Sequence, residues 1–250
     1  MPDILGQALA LPGLVWMLVT VCVAGLIRGF SGFGSAMVIM PVASSVLSPV
    51  GALVFLTMVE LFGPLPNLPR ALREGERGDV LRLGLGVVVA MPLGVWAVSH
   101  VNAELFGWAV SCVVLILLCL LMAGWRYRGR LTPALIVGTG GLGGFLGGLT
   151  GLAGPPVIML YVASTLPAAT IRANFLLYLL IIDTLMIVSL AVFGLLETGS
   201  MVAGLLLAVP YMLANAAGAA LFTPRAEPVF RVVVYGLIAV SAVLGLPLWN

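Results

Sequence analysis

The sequence has few charges and no lysine. Of its 250 residues, 8% are charged, and all eleven basic residues are arginine. Hydrophobic residues make up 62% of the chain, and the mean hydropathy is +1.24. Such a composition leaves too little polar sequence to cover the surface of a soluble domain. The scarcity of charge therefore excludes a soluble globular protein and predicts an all-α polytopic membrane protein, with the lipid bilayer as its surroundings.

Residues that build metal, redox and catalytic sites are also scarce. The chain has one histidine, His100, and three cysteines without CxxC spacing. HExxH, GxGD and GxSxG patterns with a partner residue are missing. We therefore expect no metal, no cofactor, no disulfide framework and no enzymatic activity. The arginines form only short clusters, which predicts no extended basic surface for nucleic acid.

Apolar runs divide the chain into ten segments. They lie near residues 11–27, 34–48, 50–68, 80–99, 105–125, 133–149, 154–166, 173–196, 200–222 and 230–248. The second and seventh segments are shorter than the ~20 residues that cross a hydrocarbon core, so we expect broken or re-entrant short helices there. The N-terminal sequence MPDILG lacks the basic residues of a signal peptide, so we expect the first segment to be retained.

The arginines predict an orientation in the membrane. Three fall in the loop 70–79, and three more fall in the loop 126–132, two crossings later. The positive-inside rule places both arginine-rich loops in the cytoplasm. If every segment reverses the chain, both termini then lie outside. We therefore expect a multi-pass protein of the bacterial cytoplasmic (inner) membrane.

The chain contains an internal repeat. A shift of 119 residues aligns GLIRGFSGFGSAMVIMPVASSVL (25–47) with GFLGGLTGLAGPPVIMLYVASTL (144–166), and eight of the 23 positions are identical. Two homologous five-segment halves would enter the membrane from opposite sides, which is the inverted repeat typical of secondary transporters. We expect a first repeat over 1–125, a cytoplasmic linker over 126–132 and a second repeat over 133–250. The parity argument fails if one short segment is re-entrant without a partner.

Each repeat carries a glycine-rich interruption. The Pro-Pro pair at 155–156 favours a helix break followed by a new helix with Pro155 near its start. Backbone groups freed inside a membrane need partners, so two matched breaks predict a lined central cavity, where helix N termini present N–H groups to an anion. The candidate substrate-binding residues at the breaks are Ser31, Gly32, Gly34, Ser35, Thr150, Gly151, Gly154 and Pro155. The alternative is that the glycines serve only close helix packing.

Charged residues near the breaks complete the candidate site. Arg28 and Arg172 are able to hold a carboxylate or sulfonate by two hydrogen bonds, or else to anchor the protein at the cytoplasmic interface. Asn174 follows in the sequence RANF. Glu60 and Asp183 correspond under a shift of 123 and lie mid-segment. Because ionisable groups are costly inside a membrane, we expect them to couple transport to protons, with arginine pairing as the alternative.

The duplicated motifs resemble a known family. GFSGFGS…VIMP and GGLTGLAGPPVIM, with MPLG later in the first repeat, resemble the TauE/SafE membrane permeases over nearly the whole chain. The resemblance implies a permease for small anions such as sulfite, sulfoacetate or a related organosulfonate, linked to the proton gradient. The first motif ends in Gly34-Ser35 instead of a glycine pair, and the second has Ala153 before Gly154. An anion channel and a drug/metabolite-type ten-segment transporter are the alternatives, and a homodimer is left open.

Overall fold

The computed structural model of the chain describes residues 13–124, 127, 131–161, 164, 166–221 and 227–248, and the side chains of all of these except 227–231. Arg126, Arg128, Arg130 and Arg225 therefore lie outside the described residues, together with most of the predicted linker 126–132.

The described backbone is helical between short connections. Its α-helices are α1 Leu14–Ser31, α2 Ser35–Val46, α3 Pro49–Glu60, α4 Leu68–Glu74, α5 Arg77–Val98, α6 Ala103–Met122, α7 Pro133–Thr150, α8 Gly154–Tyr161, α9 Ala168–Val192, α10 Thr198–Ala220 and α11 Glu227–Leu244. Six of them are long and apolar enough to cross a membrane, and the bent pair α3–α4 brings the number to seven if it counts as one span. The prediction of an all-α polytopic membrane protein is confirmed.

The outer faces of the long helices are apolar. Trp16 on α1, Leu81 on α5 and Val192 on α9 are 72%, 72% and 76% exposed. Large apolar side chains at this exposure are stable in contact with lipid and unfavourable in contact with water. The inner faces meet in a core that takes residues from both halves of the sequence.

The two halves of the sequence pack closely against each other. The most extensive helix contacts join α5 to α7 and α1 to α10, so the first helix of each half lies against the fourth segment of the other. Glycine allows this close approach, because a Cβ added at Gly144 would lie 2.9 Å from the Cα of Val87. On the other side, a Cβ at Gly25 would lie 2.9 Å from the Cβ of Ala214. The two halves therefore share one core.

Two central segments run in opposite directions. Ser48, which precedes α3, donates a hydrogen bond to Glu197, which precedes α10, at 2.5 Å. The backbone N–H of Glu76, which precedes α5, donates to the side chain of Asn174 near the start of α9, at 2.7 Å. The chain from α3 to α4 therefore starts where α9 ends and ends where α9 starts. An inverted repeat requires this relation between its third segments, and inversion of the complete halves stays a prediction.

The predicted segment 50–68 is bent. α3 ends at Glu60, a short 3-10 helix covers Leu65–Asn67, and the second part of the segment is bent from α3 by 42°. Gly63, Pro64 and Pro66 interrupt the helix here, because proline removes a backbone donor and clashes with the preceding turn. Glu60 is consequently the last residue of α3, at a third break that we did not predict.

Candidate functional site

The two predicted helix breaks have the same backbone geometry. α1 ends at Ser31, and Gly32 follows with a φ of 82° and its N–H bonded at 2.7 Å to the carbonyl four residues earlier. α7 ends at Thr150, and Gly151 follows with a φ of 77° and the equivalent bond at 2.8 Å. Residues with a Cβ are strained at such φ values. Each break therefore depends on glycine at the first position after the helix.

A cavity of about 50 Å³ lies between the two breaks. New helices begin on either side of it, α2 at Ser35 and α8 at Gly154 with Pro155 as its second residue, as predicted. α1, α3, α7 and α9 complete the wall. The predicted site residues that line the cavity are Arg28, Gly34, Ser35, Glu60, Gly151, Gly154, Pro155 and Asp183. Arg28 and Asp183, which come from different halves of the sequence, therefore share one wall.

An ion pair between Arg28 and Glu60 lies in this wall. The guanidinium nitrogen Nη1 is 2.8 Å from the carboxylate oxygen Oε2, and the two side chains are 11% and 9% exposed. Ser35 donates a hydrogen bond to Oε1 of Glu60 and accepts one from Arg28 at 3.3 Å. Tyr211 of α10 donates to the same carboxylate at 3.4 Å. Arg28 is thus on the cavity wall with a buried anionic partner, and Glu60 has the arginine pairing that was the alternative to proton coupling.

Asp183 faces the same cavity without such a partner. It lies in the middle of α9, is 7% exposed, and its Oδ2 accepts no hydrogen bond in the described structure. The arginine that neutralises Glu60 forms no salt bridge with it. A buried carboxyl with an unsatisfied oxygen is unfavourable when ionised and becomes favourable when a proton, a cation or a donor reaches it. Among the charged groups of the wall, Asp183 is therefore the one that gains most from a bound proton, cation or hydrogen-bond donor.

Five predicted site residues do not line the cavity. The hydroxyls of Ser31 and Thr150 donate to carbonyls four residues earlier in their own helices, at 2.7 and 2.8 Å. Gly32 forms the turn of the first break. Arg172 is exposed near the start of α9, and Asn174 is buried against the chain that enters α5. Ser31 and Thr150 therefore have local hydrogen bonds, and Asn174 has a long-range bond to the N–H of Glu76, in place of contacts with the cavity.

The two new helices differ in what their N termini offer to an anion. α2 begins with Ser35 and Ala36, which both have a backbone N–H, and Ser35 adds a hydroxyl. α8 begins with Gly154 followed by two prolines, which have none. The expectation that both helix starts donate N–H groups to a ligand therefore applies to α2 and, at α8, only to Gly154.

Several residues of the wall were not predicted. Phe175, Leu179, Ile182 and Met186 line the cavity from α9 together with Asp183. Their spacing of three and four residues places them on one face of the helix, so the helical period around Asp183 is a signal that identifies them. Tyr211 has no such local signal, because the packing of α10 on α3 and α1 brings it to Glu60.

The chain was compared with known proteins. No curated protein and no solved structure matches it. Residues 17–244 match the family model described as "Sulfite exporter TauE/SafE", which covers both breaks and the whole cavity wall. By this match the protein is a multi-pass membrane protein that belongs to the TauE/SafE family of sulfur-anion exporters.

Proposed function

We propose that this protein is a secondary active transporter that moves small sulfur-containing anions, such as sulfite or an organosulfonate, together with protons by alternating access. The observation that carries the proposal is the buried Arg28, whose guanidinium faces the cavity and is paired with the carboxylate of Glu60. A sulfonate or sulfite group accepts the same hydrogen bonds as that carboxylate.

Exchange of partners at Arg28 links the anion to a proton. While Glu60 is ionised, it occupies the guanidinium at 2.8 Å, and an incoming anion meets a negative charge. When Glu60 takes up a proton, its hold on Arg28 weakens, and the anion pairs with the guanidinium in its place. The anion and the proton therefore enter together. Release of the proton restores the Arg28–Glu60 pair and expels the anion.

Asp183 supports the same coupling from the second half of the chain. Its carboxyl lies on the cavity wall with one oxygen unpaired. In the ionised form it repels an anion, and in the protonated form it is able to donate a hydrogen bond to one. We propose Asp183 as the second proton-coupling residue beside Glu60.

The proposed orientation keeps the loops 70–79 and 126–132 in the cytoplasm of a bacterial cell, at the inner membrane. Arg70, Arg73 and Arg77 are exposed, as residues of an aqueous loop should be. Arg70 pairs with Glu74 at 2.7 Å on this surface. The positive-inside rule supports the cytoplasmic assignment.

Flux into proteoliposomes tests the proposal. The purified protein is reconstituted, and uptake of radiolabelled methanesulfonate and sulfite is measured with and without an acidic exterior, with protein-free liposomes as the background. We expect saturable uptake that rises with the acidic exterior and falls when a protonophore is added. Arg28→Met should abolish it. Arg70→Met removes an exposed, paired arginine and should leave it unchanged, which makes it the matched control.

Other results would point to other functions. Uptake that does not saturate and follows the membrane potential without a response to the pH gradient would indicate an anion channel. Uptake that survives Arg28→Met would move the anion site elsewhere. If neither anion is taken up or bound, the proposed substrate class is wrong, and a transporter of another small metabolite becomes the better hypothesis.

A further inference from the structure

The net positive charge that the cavity wall can offer to a bound ligand has an upper limit. The charged groups that face it in the described structure are Arg28 from α1, Glu60 from α3 and Asp183 from α9. The phenol of Tyr211 contacts Glu60 from α10, and α2, α7 and α8 contribute no titratable group to the wall. With both carboxyls protonated and Tyr211 neutral, the wall carries a charge of +1. No protonation state of these groups gives +2.

The two halves contribute unequally to this wall. Under the repeat register of 119 residues, Arg28 corresponds to Gly147, and Ser35 corresponds to Gly154. All four residues line the cavity, so at these two positions the first half contributes a polar side chain where the second half has only glycine. The next wall position of the second half is Pro155, which lacks an N–H. Phe175 packs beside Gly154, where an added Cβ would lie 3.1 Å from the ring. Arg28 and Ser35 therefore form the part of the wall that binds an anionic head, whereas the second half contributes the apolar Pro155 and Phe175 and one acid, Asp183.

The cavity is also small. Its volume is about 50 Å³, which holds roughly four water-sized groups at 10–15 Å³ each. Hydrogensulfite, with four heavy atoms, and methanesulfonate, with five, have about this size.

We infer that the cavity selects small monoanions with a single anionic head and excludes dianions. The anionic head lies against Arg28 and Ser35, and the rest of the ligand lies toward Pro155 and Phe175. This inference rests on the proposed transport of anions and narrows its substrate class. A monoanion brings the fully protonated wall to a net charge of zero. A dianion leaves an uncompensated negative charge in a membrane interior, which is strongly unfavourable. Hydrogensulfite and simple alkylsulfonates meet the requirement, whereas sulfate and doubly ionised sulfoacetate do not.

Methanesulfonate and sulfate test the inference as a matched pair. Each has five heavy atoms around one sulfur, and a methyl group in the first replaces a charged oxygen in the second. Equilibrium binding of radiolabelled methanesulfonate to the purified protein is measured at several pH values at constant ionic strength, with unlabelled methanesulfonate or sulfate as competitor. We expect sulfate to compete at least about 100-fold more weakly, because the cost of one unpaired buried charge spans two or more factors of ten in affinity.

Two variants raise the maximum positive charge of the cavity wall. Asp183→Lys replaces an acid of the wall by a base, and Met186→Lys adds a base one turn further along the same face of α9. Each allows a wall charge of +2, so we expect sulfate to compete within about tenfold of methanesulfonate in whichever variant folds. Asp183→Asn removes an acid without adding a base and should continue to exclude sulfate.

The outcomes separate this inference from the proposed function. If sulfate competes as well as methanesulfonate in the unmodified protein, the anion site stands and the restriction to monoanions is wrong. If folded lysine variants still exclude sulfate, charge does not set the limit, and the inference is overturned as well. If methanesulfonate does not bind at any pH, the proposed function fails and the inference fails with it.

Discussion

Replacing Glu60 by glutamine keeps the shape of the side chain and removes the charge that neutralises Arg28. The two side chains are 11% and 9% exposed, and the atoms of the ion pair are 2.8 Å apart. Loss of one partner from a buried pair costs roughly 3–5 kcal/mol, because the other charge is left uncompensated. Since the amide oxygen of glutamine still accepts from Ser35 and Tyr211, we expect the lower end, about 3 kcal/mol.

Thermal unfolding in detergent measures this loss. For a chain of this size, 1 kcal/mol corresponds to a Tm shift of about 2–4 °C, so Glu60→Gln should lower the Tm by about 6–12 °C. Glu74→Gln is the matched control, because it removes the same charge from an ion pair whose arginine is 74% exposed. An exposed pair contributes only about 0–1 kcal/mol, so the control should lower the Tm by no more than about 4 °C.

An anion should rescue the variant. In Glu60→Gln the guanidinium of Arg28 is free to pair with methanesulfonate, and a ligand at 100 times its Kd stabilises the folded state by about 2.7 kcal/mol. Methanesulfonate should therefore reverse most of the decrease in Tm that Glu60→Gln causes. In the unmodified protein the anion competes with ionised Glu60, so its stabilising effect should grow as the pH falls. The double variant Glu60→Gln/Asp183→Asn should show no dependence of this effect on pH.

Two results would refute the reasoning about Arg28. A Tm of Glu60→Gln equal to that of Glu74→Gln would mean that the buried pair does not stabilise the protein. Stabilisation by methanesulfonate that declines with rising pH as steeply in the double variant as in the unmodified protein would assign the proton to a group outside Glu60 and Asp183.

Three glycine substitutions test the scaffold around the cavity. Gly144→Ala should destabilise the protein by about 1–3 kcal/mol, because its Cβ would lie 2.9 Å from the Cα of Val87 in the α5–α7 contact. Gly138→Ala is the control on the same helix. It has open space around it and should be neutral or stabilising. A lower Tm for Gly138→Ala than for Gly144→Ala would contradict this packing. Gly32→Ala should cost about 1–2 kcal/mol through its φ of 82° alone, since no atom lies within 4 Å of the added Cβ. An unchanged Tm for Gly32→Ala would mean that the first break tolerates another backbone conformation.

The positions of the two matched breaks were predictable because the signals that set them are local. Gly32 and Gly151 adopt positive φ values, and the Pro-Pro pair requires α8 to start anew, so the residues themselves determine the interruption. The break after Glu60 carries equally local signals in Gly63 and Pro64. It was missed because the apolar run continues through these residues, and hydrophobicity was used as the evidence for one helix.

Contacts between distant helices were not predictable in the same way. The pairing of Arg28 with Glu60 and the approach of Tyr211 depend on how α1, α3 and α10 pack, and a single sequence contains no direct signal for that. The hydroxyls of Ser31 and Thr150 illustrate the opposite error. They were assigned to a ligand because they lie beside the breaks, but a hydroxyl in the last turn of a helix finds a carbonyl of its own helix within reach.

The positions that match between the two repeats and the positions that differ have separate roles in this molecule. Positions that match between the halves, such as Gly32 with Gly151 and Glu60 with Asp183, give two breaks and two acids that meet at one cavity. Positions that differ give the cavity its polarity, because Arg28 has only a glycine as its counterpart. A fully symmetric pair of halves would place two arginines against two acids and accept a dianion. Since the second arginine is missing, the proposed function assigns the anionic head to Arg28 alone and assigns the response to protons to Asp183.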